Sequence, residues 1–290
     1  MKKIEIHKRL KKEKKKLHIW LRAIIQLLFF IFIPSVYTAA FAGVKYIFNQ
    51  IGARESIELT AFLTILIVIC AYTVVFGRFF CGFVCAFGSF GDGVHALYRA
   101  VCKKLHKKPV RLGAKLTSWM IYLKYIILIL IVGLCFAGVY DRARGTSPWD
   151  VFSMLHAGNF QLRDYLPGLI ILLVLLVGMC VQERFFCRFF CPLGAIFSFL
   201  PVFPFFGLYR HRESCIKGCK ACSNGCPADL GLPEEGSAAV QGECFQCQKC
   251  IDVCPKSNIH CGIRKLRGNE VLFTLLRAGI LLALFLWMGI

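Results

Sequence analysis

The sequence predicts a mainly α-helical integral membrane protein, with about five transmembrane helices and a small cysteine-rich α+β domain inserted before the last of them. Three observations carry this expectation. Hydrophobic residues make up 57% of the 290-residue chain, more than a soluble domain readily keeps in solution. The formal charge of +20 is gathered beside apolar runs, as the positive-inside rule requires, and that distribution argues against a nucleic-acid partner. Finally, eight of the 17 cysteines fall between Cys215 and Cys254.

The elements follow in chain order. Residues 1–18 form a basic tail carrying Lys2, Lys3, Lys8, Arg9, Lys11, Lys12, Lys14, Lys15 and Lys16, expected to lie solvated beside anionic lipid. Residues 19–209 form the membrane domain. Its first apolar run, 19–41, is broken by Pro34; the run resembles a signal peptide but is read as a retained span. Further runs at 58–76, 119–139 and 166–181 suit ~30 Å of hydrocarbon. The cysteine-rich domain occupies 210–264, and the segment 265–290 holds a last span whose Arg277 is expected to snorkel to the polar boundary. Between the second and third spans lie Arg99, Lys103, Lys104, Lys107, Lys108, Arg111 and Lys115, with Asp92 as the acid. This loop belongs inside, and the nearly charge-balanced loop from Asp141 to Tyr165 outside. The cysteine-rich domain then faces the cytoplasm, with the amino terminus.

That domain holds two runs: Cys215, Cys219, Cys222, Cys226-Pro227 and Cys244, Cys247, Cys250, Cys254-Pro255. Spacings of two, two and three residues ending in Pro are those by which bacterial ferredoxins bind two [4Fe–4S] clusters, the fourth cysteine of each run crossing to the other cluster. The expected sets are Cys215, Cys219, Cys222 and Cys254 for one cluster, and Cys244, Cys247, Cys250 and Cys226 for the other, in a ferredoxin-like two-cluster domain. The first run departs from the pattern, with three residues between Cys215 and Cys219, and Gly218 is the residue able to absorb the insertion. Zinc or disulfides are the competing uses of such cysteines. Zinc sites favour pairs of pairs without the Cys-Pro ending, and cluster ligation places the domain in a reducing compartment.

A second pattern is a repeat. Arg78-Phe79-Phe80-Cys81, then Cys85 and Gly88, reappears as Arg184-Phe185-Phe186-Cys187, then Cys191 and Gly194. Both copies follow a span on the same side, a parallel repeat. Cysteines four apart share a helix face, so Cys81, Cys85, Cys187 and Cys191 are a candidate intramembrane redox or metal site. Three uses stay open: a metal or further iron–sulfur centre, reversible disulfides, or close helix packing by small apolar residues. Arg78 and Arg184 are then cations beside an anionic centre, or interfacial anchors. Cys70, Cys135 and Cys180 read as packing residues; Cys102 and Cys261 have no assignment. In the outer loop, His156 with Trp149 and Asp150 is a candidate proton acceptor for quinol, or a cap of an interfacial segment.

Two Cys-x-x-x-Cys motifs at span ends followed by a two-cluster segment resemble the NapH/NosR-type membrane polyferredoxins, over about residues 60–262. In that family both motifs end Cys-Pro. Here Cys191-Pro192 does, whereas Cys85-Ala86 does not, leaving helix breaking there to Gly88 and Gly91. The resemblance implies passage of electrons between a quinol pool or an exported redox partner and cytoplasmic-side [4Fe–4S] clusters, as a carrier or a subunit of an oxidoreductase system. Partners so implied are membrane lipid, quinol, an exported flavin- or haem-carrying protein and a cytoplasmic electron donor or acceptor. A maturation factor for a metalloenzyme and a membrane redox-sensing regulator are the alternatives, since all three uses keep the same ligands.

Overall fold

The computed structural model describes residues 2–110, 112–140, 145–160, 163–203, 206–232, 242–263 and 269–290. Arg111 and Asp141, counted above among the loop charges, and the side chains of Lys2 to Lys12 lie outside the described residues.

The helices, in order, are α1 (Lys2–Phe32), α2 (Val36–Ala53), α3 (Ala61–Phe76), α4 (Ala86–Lys104), α5 (Ala114–Met120), α6 (Leu123–Phe136), α7 (Pro148–His156), α8 (Leu166–Val181), α9 (Phe185–Phe189) and α10 (Pro192–Phe199). Strand β1 (Phe206–Arg210), short helices α11 (Ala221–Asn224) and α12 (Lys249–Val253), strand β2 (Ile259–Ile263) and the terminal helix α13 (Glu270–Trp287) complete the chain. The break between α1 and α2 falls at Pro34, where the ring removes a backbone donor and clashes with the preceding turn.

Among the described residues two helical segments are long and apolar enough to cross a membrane: Lys115–Phe136, of 22 residues, and Glu270–Trp287, of 18. A third is added if Glu13–Phe32 and Val36–Ala53 form one broken span. Helices α3 and α8 are apolar but have 16 residues each, about 24 Å at the α-helical rise, short of a ~30 Å core. By length and composition the described residues thus supply two such segments, or three with the broken pair, of the five expected.

The chain forms two compact units that are not consecutive in sequence. The first draws on residues 1–29, 72–84 and 201–290, the second on 30–71 and 85–200. In the first, β1 and β2 pair antiparallel, from Phe206 opposite Ile263 to Arg210 opposite Ile259. The hairpin's core of Phe206, Leu208, Ile251, Cys254, Ile259 and Cys261 is buried, with Cys222, Cys244 and Cys250 packed against it. In the second unit α2 packs on α6, and α8 on both α4 and α7.

Arg277 does not snorkel. Its side chain is fully buried, with the guanidinium 4.4 Å from the Phe79 ring centroid and 4.3 Å from that of Phe206. Two aromatic faces and the thiol of Cys261 offer the cation an interior berth, so it need not reach the lipid boundary. Residue 18, the expected boundary between basic tail and span, lies within a continuous helix. No breaker precedes Pro34, and α1 runs through as one helix.

Candidate iron–sulfur site

The second cysteine run is shaped by left-handed backbone at Gln246 (φ 52°) and Gln248 (φ 61°). Such turns fold a short loop back so that successive side chains and N–H groups face one concavity. Gly82, in a π-helical turn spanning Phe80–Val84, lies directly against this loop: a β-carbon there would sit 2.4 Å from Phe245 O. Arg78, buried, donates to Gly242 O at 2.9 Å, approaches Glu243 at 3.5 Å and covers the Phe245 ring. It is thus an interior cation beside the loop and not an interfacial anchor.

Cys226, Cys244, Cys247 and Cys250 all line one small cavity of about 30 Å³, together with Cys222. Burial pushes the Cys244 thiol up to about 11, opposed by a backbone N–H from Gln246 and raised further by Cys226. Burial, and then the neighbouring Cys247, Cys244 and Cys226, push Cys250 well above the ordinary thiol range. Mutual influence of this kind marks sulfurs held close together in a low-dielectric pocket.

At the first run, Gly218 adopts φ 73°, and a β-carbon there would meet nothing within 4 Å. With space for a side chain, what the position asks of glycine is the left-handed backbone, in the three-residue gap between Cys215 and Cys219. Asn258 links the runs. Its backbone N–H donates to Cys254 Sγ at 3.4 Å, and its amide donates to Ser214 O at 2.5 Å and lies 4.0 Å from Cys215 Sγ. Arg210 Nη1 lies 3.9 Å from Cys222 Sγ. Among the described residues no three His, Cys, Asp or Glu side chains converge as for a single metal ion.

Helix α1 supplies residues that no sequence pattern had singled out. His18 bonds Asp252 Oδ1 through Nδ1 at 2.7 Å and Gln248 Oε1 through Nε2 at 2.6 Å. Arg22 donates to Asp252 Oδ2 at 2.8 Å and approaches Cys247 O at 3.4 Å, while Lys15 donates to Cys254 O. Thr274 of α13 contacts Gln248 from the other end of the chain. A histidine in a lysine-rich segment carries no spacing signal; only the fold shows its partner.

The repeated motif is built the same way twice, but not as a continuous helix. Cys81 lies within the π-helical turn and Cys85 stands at the N-cap of α4 with φ −58° and ψ 113°. Cys187 lies within α9 and Cys191 at the N-cap of α10 with φ −74° and ψ 110°. The second cysteine of each pair leaves the helix, so the shared helical face expected from i, i+4 spacing is not formed. Gly88 and Gly91 lie inside α4 and make no break; the break falls at Cys85 itself.

In the second unit the Tyr37 hydroxyl is 3.5 Å from Cys191 Sγ and within electrostatic reach of Cys85 and Cys187. Gly194 N–H donates to Cys191 Sγ at 3.1 Å, a helix N-terminus turned toward sulfur. Cys81 belongs to the first unit. Arg184 is buried and forks onto Asp92, Nε to Oδ1 at 3.1 Å and Nη2 to Oδ2 at 2.6 Å, so it too is no interfacial anchor. Nearby, a polar cavity of about 450 Å³ reaches Lys45, Tyr140, Ser147 and Asp150. An apolar cavity of about 240 Å³ shares Tyr140 and Ser147 and is lined by Trp149, Leu175 and Phe186. Ser147 Oγ and Trp149 Nε1 are buried without a hydrogen-bond partner among the described residues. His156 instead sets its ring edge-on to Phe30, 4.8 Å between centroids.

Such a donor set defines the class: an iron–sulfur protein with membrane-crossing helices. A 4Fe-4S binding domain family matches residues 59–108 and 166–204, each stretch holding one copy of the repeated motif. Two uncharacterised proteins of Methanocaldococcus jannaschii are each 30% identical, over 236 and 242 residues; both alignments cover 81% of this chain, and 84% and 92% of those proteins. The ferredoxin-type protein NapH of Haemophilus influenzae is 24% identical over 215 residues, 71% of this chain and 69% of that protein. No solved structure matches. The chain belongs to the ferredoxin-type membrane electron-transfer family with 4Fe-4S binding domains.

Proposed function

We propose that the protein is a membrane electron carrier holding two [4Fe–4S] clusters, one on Cys215, Cys219, Cys222 and Cys254 and the other on Cys244, Cys247, Cys250 and Cys226. The observation that carries this reading is the gathering of Cys226 with all three leading cysteines of the other run around one cavity. The contacts of Asn258 with both Cys254 and Cys215 support the reciprocal crossing. Bound clusters supply reversible one-electron chemistry at potentials the protein sets through charge, hydrogen bonds and burial.

The chain's own residues bind, orient and exclude water. Gln246 N–H turns toward the Cys244 sulfur, Arg78 and Phe245 cover the loop, and His18 and Arg22 fix Asp252 between Cys250 and Cys254. The basic segments at 1–18 and 99–115 support a cytoplasmic position for the cluster domain. Electrons then pass between a cytoplasmic donor or acceptor and a quinol pool or exported redox partner. The polar and apolar cavities of the second unit, which share Tyr140 and Ser147 in their walls, with the buried donors of Ser147 and Trp149 that lack a partner among the described residues, support an amphipathic ring ligand such as quinol. Cys85, Cys187 and Cys191 about Tyr37 are candidates for a further redox station.

The test is iron and acid-labile sulfide per chain after anaerobic purification in detergent, with low-temperature EPR. Two cubanes give roughly eight of each. Colourless, iron-poor material would overturn the proposal.

A further inference from the structure

We infer that the loop of the first cysteine run is the docking surface for a small, acidic one-electron carrier protein, which seats on Arg212, Lys217, Lys220 and Lys256 and on the exposed Ile216. The inference rests on the two-cluster reading and goes beyond it to say which face of the cluster domain meets a partner, and what charge that partner presents.

The two runs differ in what stands between their sulfurs. In the first, Ile216, Lys217 and Gly218, between Cys215 and Cys219, are all exposed, as are Lys220 after Cys219 and Arg212, Glu213 and Ser214 before Cys215. In the second, Phe245 and Gln246, between Cys244 and Cys247, are buried, and so is Gln248. Arg78 covers Phe245, and His18 of α1 closes on Gln248. Electron transfer between proteins weakens steeply with separation, so a partner gains most by docking where a cluster's own loop is the surface. Among the described residues that loop is the first run's.

Its charge is of one sign. Segments 212–220 and 255–258 are tied together: Cys215 N–H donates to Arg212 O at 2.9 Å, His211 N–H to Asn258 O at 3.2 Å, and the Asn258 amide to Ser214 O at 2.5 Å. They bring four exposed cations, Arg212, Lys217, Lys220 and Lys256, against Glu213 as their one acid. Ile216, 49% exposed, adds an apolar contact. An apolar contact with a polar, solvated rim is the anatomy of a transient protein interface, and rim cations speed encounter with an acidic partner. Segments that bind a bilayer carry Trp, Phe or Leu beside their cations. These two have none, so the surface fits an acidic protein better than anionic lipid.

The test uses the iron-loaded full chain in nanodiscs of zwitterionic lipid, with a purified flavodoxin of acidic surface as the probe. Lysine acetylation, read by mass spectrometry, is expected to fall several-fold at Lys217, Lys220 and Lys256 when the probe is added. It should stay unchanged at Lys107 and Lys108, exposed cations after α4. The protection should disappear at about 1 M salt, where the screening length is ~3 Å. Lys217→Glu with Lys220→Glu is expected to weaken binding about tenfold at low salt, while Lys107→Glu with Lys108→Glu, an equal change of net charge, holds it near the parent's. The footprint on the parent decides alone if the first double variant fails to load iron. Equal protection at both places, none at the first run, or protection of the same lysines by phosphatidylglycerol in the disc without the probe overturns the inference. A parent chain without iron fails the underlying reading instead.

Discussion

His18 Nδ1 lies 2.7 Å from Asp252 Oδ1, joining residues 234 positions apart. Both side chains are nearly inaccessible, at 4% and 8% exposure, and Arg22 completes the group on the other carboxylate oxygen. Breaking a buried pair strands the remaining charge, at about 3 kcal/mol or more. Asp252→Asn should therefore speed cluster loss under a chelator, followed as bleaching of the visible absorbance. Retention equal to the parent's would show that α1 does not hold the loop.

Gly82 offers a steric test of the same loop. With a β-carbon 2.4 Å from Phe245 O, Gly82→Ala must displace the turn that carries Cys244 and Cys247. Iron content should fall by roughly four per chain, one cubane's worth. Gly93→Ala, at a position with nothing within 4 Å, should leave it unchanged.

Crossed ligation makes opposite demands on the two fourth cysteines. Cys226→Ser should weaken the signal of the cluster on Cys244, Cys247 and Cys250, and Cys254→Ser that of the cluster on Cys215, Cys219 and Cys222. Power saturation in EPR can separate the two. Loss of the same signal in both variants would mean that each run serves itself.

Proton linkage gives the metal-free chain a characteristic pH dependence. An unfolded thiol titrates near about 8.5, whereas burial holds Cys244 up at about 11 and Cys250 higher than usual. A raised acid favours its protonated form in the folded state. The stability this confers is fully present below about pH 8.5 and is lost as pH rises toward about 11. Denaturation of metal-free protein should show this decline, and the loaded protein, whose thiols are already ionised on iron, should not.

The second unit rests on another buried fork. Arg184 has left-handed backbone (φ 55°) and is held by Asp92. Asp92→Asn should lower the thermal stability of the chain by about 3 kcal/mol, and Arg184→Gln with Asp92→Asn together by less than the sum. Additive losses would mean the two do not act as a pair.

Much of this was legible in the sequence because it depends on spacing. The two cysteine runs, the role of Gly218 and the repeat ending in Cys85 and Cys191 are all local patterns, and a pattern of spacings survives without knowledge of the fold. Other features depend on long-range proximity. His18 reads as one residue of a basic tail until Asp252 is beside it. Arg277 reads as a snorkelling cation until Phe79 and Phe206 close over it. The helical face expected for Cys81 and Cys85 failed for a different reason: the π-helical turn adds a residue to the repeat, and the second cysteine is spent as a cap. The span count is less legible, because α3 and α8 are apolar but stop at 16 residues, where the motif turns begin.

The first unit is assembled from the beginning, an early stretch and the end of the chain. Ribosomal synthesis therefore delivers its parts far apart in time: His18 emerges first, Cys226 and Cys254 late, and Arg277 almost last. The intervening unit, residues 30–71 and 85–200, is complete while the inorganic cargo still has no finished berth. On the proposed ligand sets, one sulfur cage is complete only with Cys250 and the other only with Cys254, long after His18 has been made.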